Sequence, residues 1–234
     1  MVVNHVLTMF VLDFQPKNCI MRRMTFLILF ALIAVVNIKA QDYKRTRLSF
    51  VLSPQISWLA SDNSSVEGNG NLFGYNFGVV MDRFFDKNYA FTTGLTINTT
   101  GGKLSYDPAT SMEIGGSTIN DVTDATYRLK YVEVPFALKL ITNEFHRSRY
   151  YGQFGLYTQY NIKTNDGNGN AMSKEVNFFD MGYQLGGGME YSLGGDTYMM
   201  LGVIYSGGFL DVTDNVVEDK ATLNRFIFQF GIIF

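Results

Sequence analysis

Counting back from the last residue, Phe234, Ile232, Phe230, Phe228 and Phe226 fill every second position, with Ile233, Gly231, Gln229, Ile227 and Arg225 between them. A period of two is the side-chain period of a β-strand, whose successive Cβ atoms point to opposite faces. One face of this segment is continuously apolar and aromatic. The same alternation recurs upstream in seven more segments. From Arg47, Leu48, Phe50, Leu52, Ile56 and Trp58 oppose Arg47, Ser49, Ser53, Gln55 and Ser57. From Leu72, Phe73, Tyr75, Phe77, Val79 and Met81 oppose Gly74, Asn76, Gly78 and Asp82, and segments beginning near Tyr89, Tyr127, Tyr150, Asn177 and Thr197 repeat the pattern. Eight strands of this kind fill the chain after its first 40 residues and leave no room for a second domain.

The connections alternate in length. Short turns lie near 85–88, 142–148 and 194–196, and longer polar loops near 61–71, 101–125, 164–174 and 212–221. Long loops at one end and short turns at the other, with an even number of strands, is the layout of a transmembrane β-barrel. The expected fold is therefore all-β, an eight-stranded antiparallel up-and-down transmembrane barrel. In lipid every backbone N–H and C=O needs an internal partner, so a sheet that spans a membrane must close on itself. The greasy face would meet acyl chains, with Trp58, Tyr75, Tyr89, Tyr150, Tyr160, Tyr191 and Tyr205 at the interfaces. The other face would fill a lumen just wide enough for side chains. Pro54 and Pro135 fall inside expected strands, where each removes a ladder donor, so bulges or ladder ends are expected there.

The first 40 residues read differently. Met21-Arg22-Arg23 precedes the apolar run Phe26–Val36, and Asn37-Ile38-Lys39-Ala40 ends on a small residue. This is the order of a secretory signal peptide, with cleavage after Ala40. The run of 11 apolar residues is too short for a spanning helix. Residues 1–20 precede it, either because the chain starts at Met21, the favoured reading, or as a long n-region, and residues 41–234 form the barrel domain. Removing 1–40 takes away Lys17, Arg22, Arg23, Lys39 and Asp13, so the formal charge of −2 becomes −5, and the single Cys, Cys19, goes as well. A cysteine-free chain has no disulfide framework and no cysteine-based metal or iron–sulfur site. An acidic chain gives no electrostatic case for nucleic acid.

Few residues could carry chemistry. The inward positions hold Arg47, Asp82, Glu133, Lys139, Lys163, Asp180, Glu190 and Arg225. Unpaired charges in a narrow lumen are costly, so a paired, rigid plug is expected, with a gated pore or a small-ligand site as the functional alternative. His146 is the one His after residue 40 and lies in a short turn beside Arg147 and Arg149; a solvated turn residue is expected rather than a catalytic base. Acidic residues cluster in the loops (Asp121, Asp124, Asp211, Asp214, Glu218, Asp219), and Asp166-Gly167-Asn168 with Asn170 only echoes a calcium loop. Gly186-Gly187-Gly188 lacks the Lys-Ser/Thr of a phosphate loop. No cofactor or metal is expected.

Tyr131-Val132-Glu133-Val134-Pro135-Phe136-Ala137-Leu138-Lys139-Leu140 resembles a strand of the PorT-like outer-membrane β-barrel family of Bacteroidetes. Gly152–Tyr157, Asp180–Tyr191 and Tyr205–Phe209 resemble further segments of that family, and the resemblance covers roughly 45–234. Phe136-Ala137 departs from its usual Leu pair, which packing tolerates. The terminal row Phe226, Phe228, Phe230, Ile232 and Phe234 resembles the strand that barrel-insertion machinery recognises. The resemblance implies an integral barrel of the cell outer membrane, in contact with its lipid, with the insertion machinery and with envelope proteins. Some family members are accessory to type IX secretion. A non-enzymatic structural or accessory role is thus the expectation. A narrow pore for small solutes or ions and a membrane-embedded lipid-modifying enzyme are the alternatives.

Overall fold

The computed structural model describes residues 45–172, 174–214 and 220–234; the expected signal peptide and its cleavage site lie outside them. Among the described residues there is no helix. The strands are β1 (Thr46–Ser61), β2 (Val66–Gly68), β3 (Asn71–Asp86), β4 (Tyr89–Ile114), β5 (Ser117–Ile141), β6 (Ser148–Asn165), β7 (Phe179–Gly194), β8 (Thr197–Gly208) and β9 (Ala221–Ile233). Around the sheet the order is β4-β3-β1-β9-β8-β7-β6-β5, every neighbouring pair is antiparallel, and β5 pairs back onto β4. The sheet is a closed eight-stranded barrel without a free edge. Strand β2 stands outside that circuit and pairs only with β4, Val66 opposite Tyr106.

The alternating faces sort as the period of two dictates. In β1, Leu48, Phe50 and Leu52 are exposed while Arg47, Ser49, Val51, Ser53, Gln55 and Ser57 are buried. In β9 and the residue after it, Phe226, Phe228, Phe230 and Phe234 are exposed while Arg225, Ile227, Gln229 and Ile233 are buried. The outermost wall is thus apolar and the lumen polar, the inverse of a soluble barrel. Six tyrosines nevertheless face inward (Tyr106, Tyr127, Tyr131, Tyr151, Tyr157 and Tyr198), more than a simple division of aromatics to the outside suggests.

Glycines opposite the lumen tyrosines make their room. A Cβ on Gly182 would press on the Gly207 carbonyl and lie 2.7 Å from Tyr157 Cε1, and one on Gly188 would press on the Leu201 carbonyl and lie 2.8 Å from the Tyr151 hydroxyl. Gly182→Val therefore overpacks the lumen and is expected to cost about 1–3 kcal/mol. The measurement is the urea midpoint of the barrel refolded in vesicles, and an unchanged midpoint would show that the Gly207 carbonyl and Tyr157 both yield freely.

Both strand prolines sit where a ladder lapses. The β1–β9 pairing runs Val51↔Gly231, then resumes at Gln55↔Ile227 in the same register, skipping Pro54. The β4–β5 pairing runs Thr93↔Phe136, then Thr96↔Glu133, skipping Pro135. Each proline keeps its register pairing on the other side, with Tyr75 and Tyr157 respectively. A missing N–H thus removes bonding toward one neighbour only, and no bulge is required.

Two expectations need correction. Residues 101–125 are not a polar loop. They continue β4 and β5 as a hairpin turning at Gly115-Gly116, both with positive φ, and pair as far out as Ile114↔Ser117. Leu104, Tyr106, Met112, Ala125 and Tyr127 form the buried side of that hairpin, and the Ser, Thr and Asp residues that suggested a loop are largely its solvated side. The second correction is Lys163, which is exposed and not inward. The β5–β6 register shifts between Lys130↔Lys163 and Tyr131↔Asn161, so Ile162 is an extra residue and reverses the facing of Lys163.

Apolar clusters lie at the two ends of the lumen. At the short-turn end are Val51, Val80, Phe84, Ala90, Ile141, Tyr151, Tyr198, Met200 and Ile233. At the long-loop end, Leu59, Val66, Leu104, Tyr106, Met112, Tyr127, Leu129, Met172, Val176, Val212 and Leu223 pack together. The extended hairpin and β2 thereby bring an apolar lid over the mouth of the barrel.

Candidate functional site

The seven charges Arg47, Asp82, Glu133, Lys139, Asp180, Glu190 and Arg225 all lie in the lumen, each less than a tenth exposed. Alternation aims each of them inward, and strand register decides which meet. They separate into two clusters.

The first is nearer the short-turn end. Arg47 forks onto Glu190, Nη1 to Oε2 at 2.9 Å and Nη2 to Oε1 at 3.2 Å. Lys139 Nζ lies 2.8 Å from both Asp82 Oδ2 and Glu190 Oε1. Arg47 Nη2 approaches Asp82 Oδ2 at 3.8 Å, and the Thr92 hydroxyl donates to Asp82 Oδ1 at 2.7 Å. Two cations and two carboxylates balance. Aromatic faces complete the enclosure: Lys139 Nζ sits 4.5 Å from the Tyr151 ring centre and the Arg47 guanidinium 4.7 Å from that of Phe84.

The second cluster lies toward the long-loop end. Arg225 Nη2 donates to Glu133 Oε2 at 2.6 Å and to Ser206 Oγ at 3.0 Å, and its guanidinium lies 4.8 Å from the Tyr157 ring centre. Asn98 Nδ2 donates to the same Glu133 oxygen at 2.8 Å, and Asn76 Nδ2 to Asn98 Oδ1 at 2.6 Å. Asp180 receives a hydrogen bond from Gln159 Nε2 at 2.7 Å and has no cation within ion-pair distance among the described residues. The cluster thus holds one cation, paired with Glu133, and a second carboxylate, Asp180, held by Gln159.

Between the clusters is a cavity of about 40 Å³ lined by Ser53, Asn76, Thr92, Thr96, Gln153, Gln184 and Gln229 among others. That is room for one or a few waters and for no larger solute. The neutral amides and the tyrosines Tyr151 and Tyr157 belong to the site as much as the charges do. Their signal in the sequence was facing alone: Tyr151, Gln153, Tyr157 and Gln159 share one parity on β6.

The remaining candidates stay apart. His146 lies on the short turn with φ 58°, exposed, edge-on to Phe145 at 4.3 Å between ring centres. Asp166 closes its own loop, accepting from the backbone N–H of Asn168 and Asn170 and from Asn170 Nδ2. Burial pushes the Asp166 carboxyl up, but these hydrogen bonds outweigh it and hold the group below its ordinary value. Glu218 and Asp219 lie outside the described residues. No group of three or more His, Cys, Asp or Glu able to hold a metal occurs among the described residues. On the outward face, the terminal row Phe226, Phe228, Phe230, Ile232 and Phe234 is one side of β9 and its final residue, with Phe226 packed on Trp58 and Tyr205.

Residues 37–213 match the family model described as "Outer membrane protein beta-barrel domain". No curated protein matches. Similar solved structures include Neisserial surface protein A, at 10% identity over 80% of this chain and 95% of that one, TM-score 0.48. The outer membrane protein OprG from Pseudomonas aeruginosa is 9% identical over 79% of this chain and 94% of that one, TM-score 0.44. The attachment invasion locus protein Ail of Yersinia pestis is 12% identical over 81% and 99%, TM-score 0.37.

Proposed function

We propose that this chain, which belongs to the outer membrane protein beta-barrel domain family and lies in the cell outer membrane, is a sealed, non-enzymatic barrel that serves as a structural or accessory part of an envelope assembly. The observation that carries this reading is the lumen. Paired charges, amides and tyrosine rings fill it, and an apolar lid covers its long-loop end. A barrel that neither conducts nor catalyses acts through its surfaces, and the surface with most structure beyond the membrane is the β4–β5 hairpin. The resemblance to PorT-like barrels supports the finer assignment, an accessory of type IX secretion, and envelope proteins as partners. The terminal aromatic row supports recognition by the insertion machinery.

The test is the size of the barrel when outer membranes are solubilised in mild detergent and run on a native gel. Migration within a larger assembly is the expected result, and its loss on shortening the hairpin at residues 107–123 would locate the contact. Migration solely as a monomer, with no defect in surface export when the gene is disrupted, would overturn the accessory role.

A further inference from the structure

Three cations stand at one place on the outward wall without carboxylate partners among the described residues. Lys130 on β5 and Lys163 on β6 are register partners, and Arg128 lies two residues earlier in β5 on the same face, opposite Asn165. Arg128 and Lys163 are exposed and Lys130 is half-buried, and none of them forms an ion pair among the described residues. Lys103, exposed on β4 at the register of Thr126, extends the patch. Like charges directly opposite across a strand pair repel each other, so the arrangement is unfavourable in isolation. The chain nevertheless builds it actively. Strict alternation would send Lys163 into the lumen, and the extra residue Ile162 turns it outward beside Lys130. Bulges of this kind re-aim a side chain.

The height of the patch is informative. One step toward the membrane on the same face are Val132 and its register partner Tyr160. Tyr160 is 43% exposed and Ile162 53%, and the Tyr160 ring packs 5.5 Å from Phe178 and 5.2 Å from Phe179. The cations thus begin where the apolar wall stops, at the long-loop end, which is the outer-leaflet side of an outer-membrane barrel. An apolar, aromatic lower half beneath a cationic upper half is the complement of an amphiphile with acyl chains and an anionic head.

We propose that Arg128, Lys130 and Lys163 bind the phosphate groups of an outer-leaflet lipid whose acyl chains lie along Tyr160 and Ile162. Phosphate suits the set because guanidinium and ammonium donors together make charge-assisted hydrogen bonds to its several oxygens. A phosphate between Lys130 and Lys163 also removes the repulsion that the register imposes. The aromatic wall beneath favours a lipid over a free anion.

Native mass spectrometry of the detergent-solubilised barrel tests this by titration with bis-phosphorylated lipid A, with the same lipid fully dephosphorylated, and with inorganic pyrophosphate. The phosphorylated lipid is expected to bind about a hundredfold more tightly than the dephosphorylated one, since each cation near a lipid surface contributes about fivefold. Lys163→Gln is expected to lose about fivefold and Lys163→Arg little, while R128Q/K130Q/K163Q loses the preference. Lys87→Gln, at the opposite end of the barrel, keeps it. Equal affinity for the two lipids, no effect of Lys163→Gln, or displacement of the lipid by pyrophosphate alone would overturn the proposal. Heat-modifiable gel mobility reports whether each variant is folded. The comparison of Lys163→Gln with Lys163→Arg suffices where the triple variant is not.

Discussion

Replacing Arg225 with methionine is expected to lower the unfolding free energy of the barrel by about 3–5 kcal/mol, the cost of leaving buried charge without its partner. Arg225 is fully buried and is the one cation of its cluster, donating to Glu133 at 2.6 Å and lying over Tyr157. Methionine preserves much of the volume and the contact with the ring, so the loss isolates the charge. It strands Glu133 beside Asp180, and two carboxylates then share a lumen with no cation near either. In vesicle-refolded protein the urea midpoint should fall by more than about 1 M. The double variant R225M/E133Q removes both halves of the pair and leaves Asn98 a neutral acceptor at residue 133. It should recover most of the loss. A single variant as stable as the parent, or a double variant no better than the single, would mean that the pair is not what holds this half of the lumen.

In the other cluster Glu190 is the site of a second large effect, with a different rescue. Glu190 is contacted by both cations, by Arg47 through a two-pronged pair and by Lys139 at 2.8 Å. Glu190→Gln leaves Arg47 and Lys139 facing Asp82 alone, an excess of positive charge in a closed space, and is expected to cost about 3 kcal/mol. Here the rescue removes a cation. In K139M/E190Q, Arg47 retains Asp82, 3.8 Å away in the parent, and most of the stability should return. The two rescues are not interchangeable: E133Q should not relieve Glu190→Gln, because the clusters are separated by the amide-lined cavity. Additivity of E133Q with E190Q measures that separation.

Much of this was legible in the sequence because one face of every strand meets lipid. That makes the alternation strong enough to read strand by strand, and facing then follows by counting. Arg47, Asp82, Glu133, Lys139, Asp180, Glu190 and Arg225 were placed in the lumen by parity alone. Parity says nothing of partners. Glu190 meets Arg47 across 143 residues of sequence, and that depends on the registers of several strand pairs together. Parity also fails at a bulge, which is why it points Lys163 inward while the structure turns it outward: one inserted residue, Ile162, has no distinctive composition. The hairpin beyond the membrane was hidden for another reason. Outside lipid its solvated face is Ser, Thr and Asp, which read as loop, and only Leu104, Tyr106 and Met112 hinted at a buried side. The lid over the lumen is therefore not legible in the sequence although its apolar residues are.

The central claim is that the closed wall encloses a filled lumen and not a channel. Single-channel recording in planar bilayers tests it most directly, using the refolded barrel with insertion verified by heat-modifiable mobility and protease protection. The filled lumen predicts a silent membrane at moderate voltage for the parent protein. Regular, voltage-stable conductance steps from the parent protein would contradict it and return the chain to the pore reading.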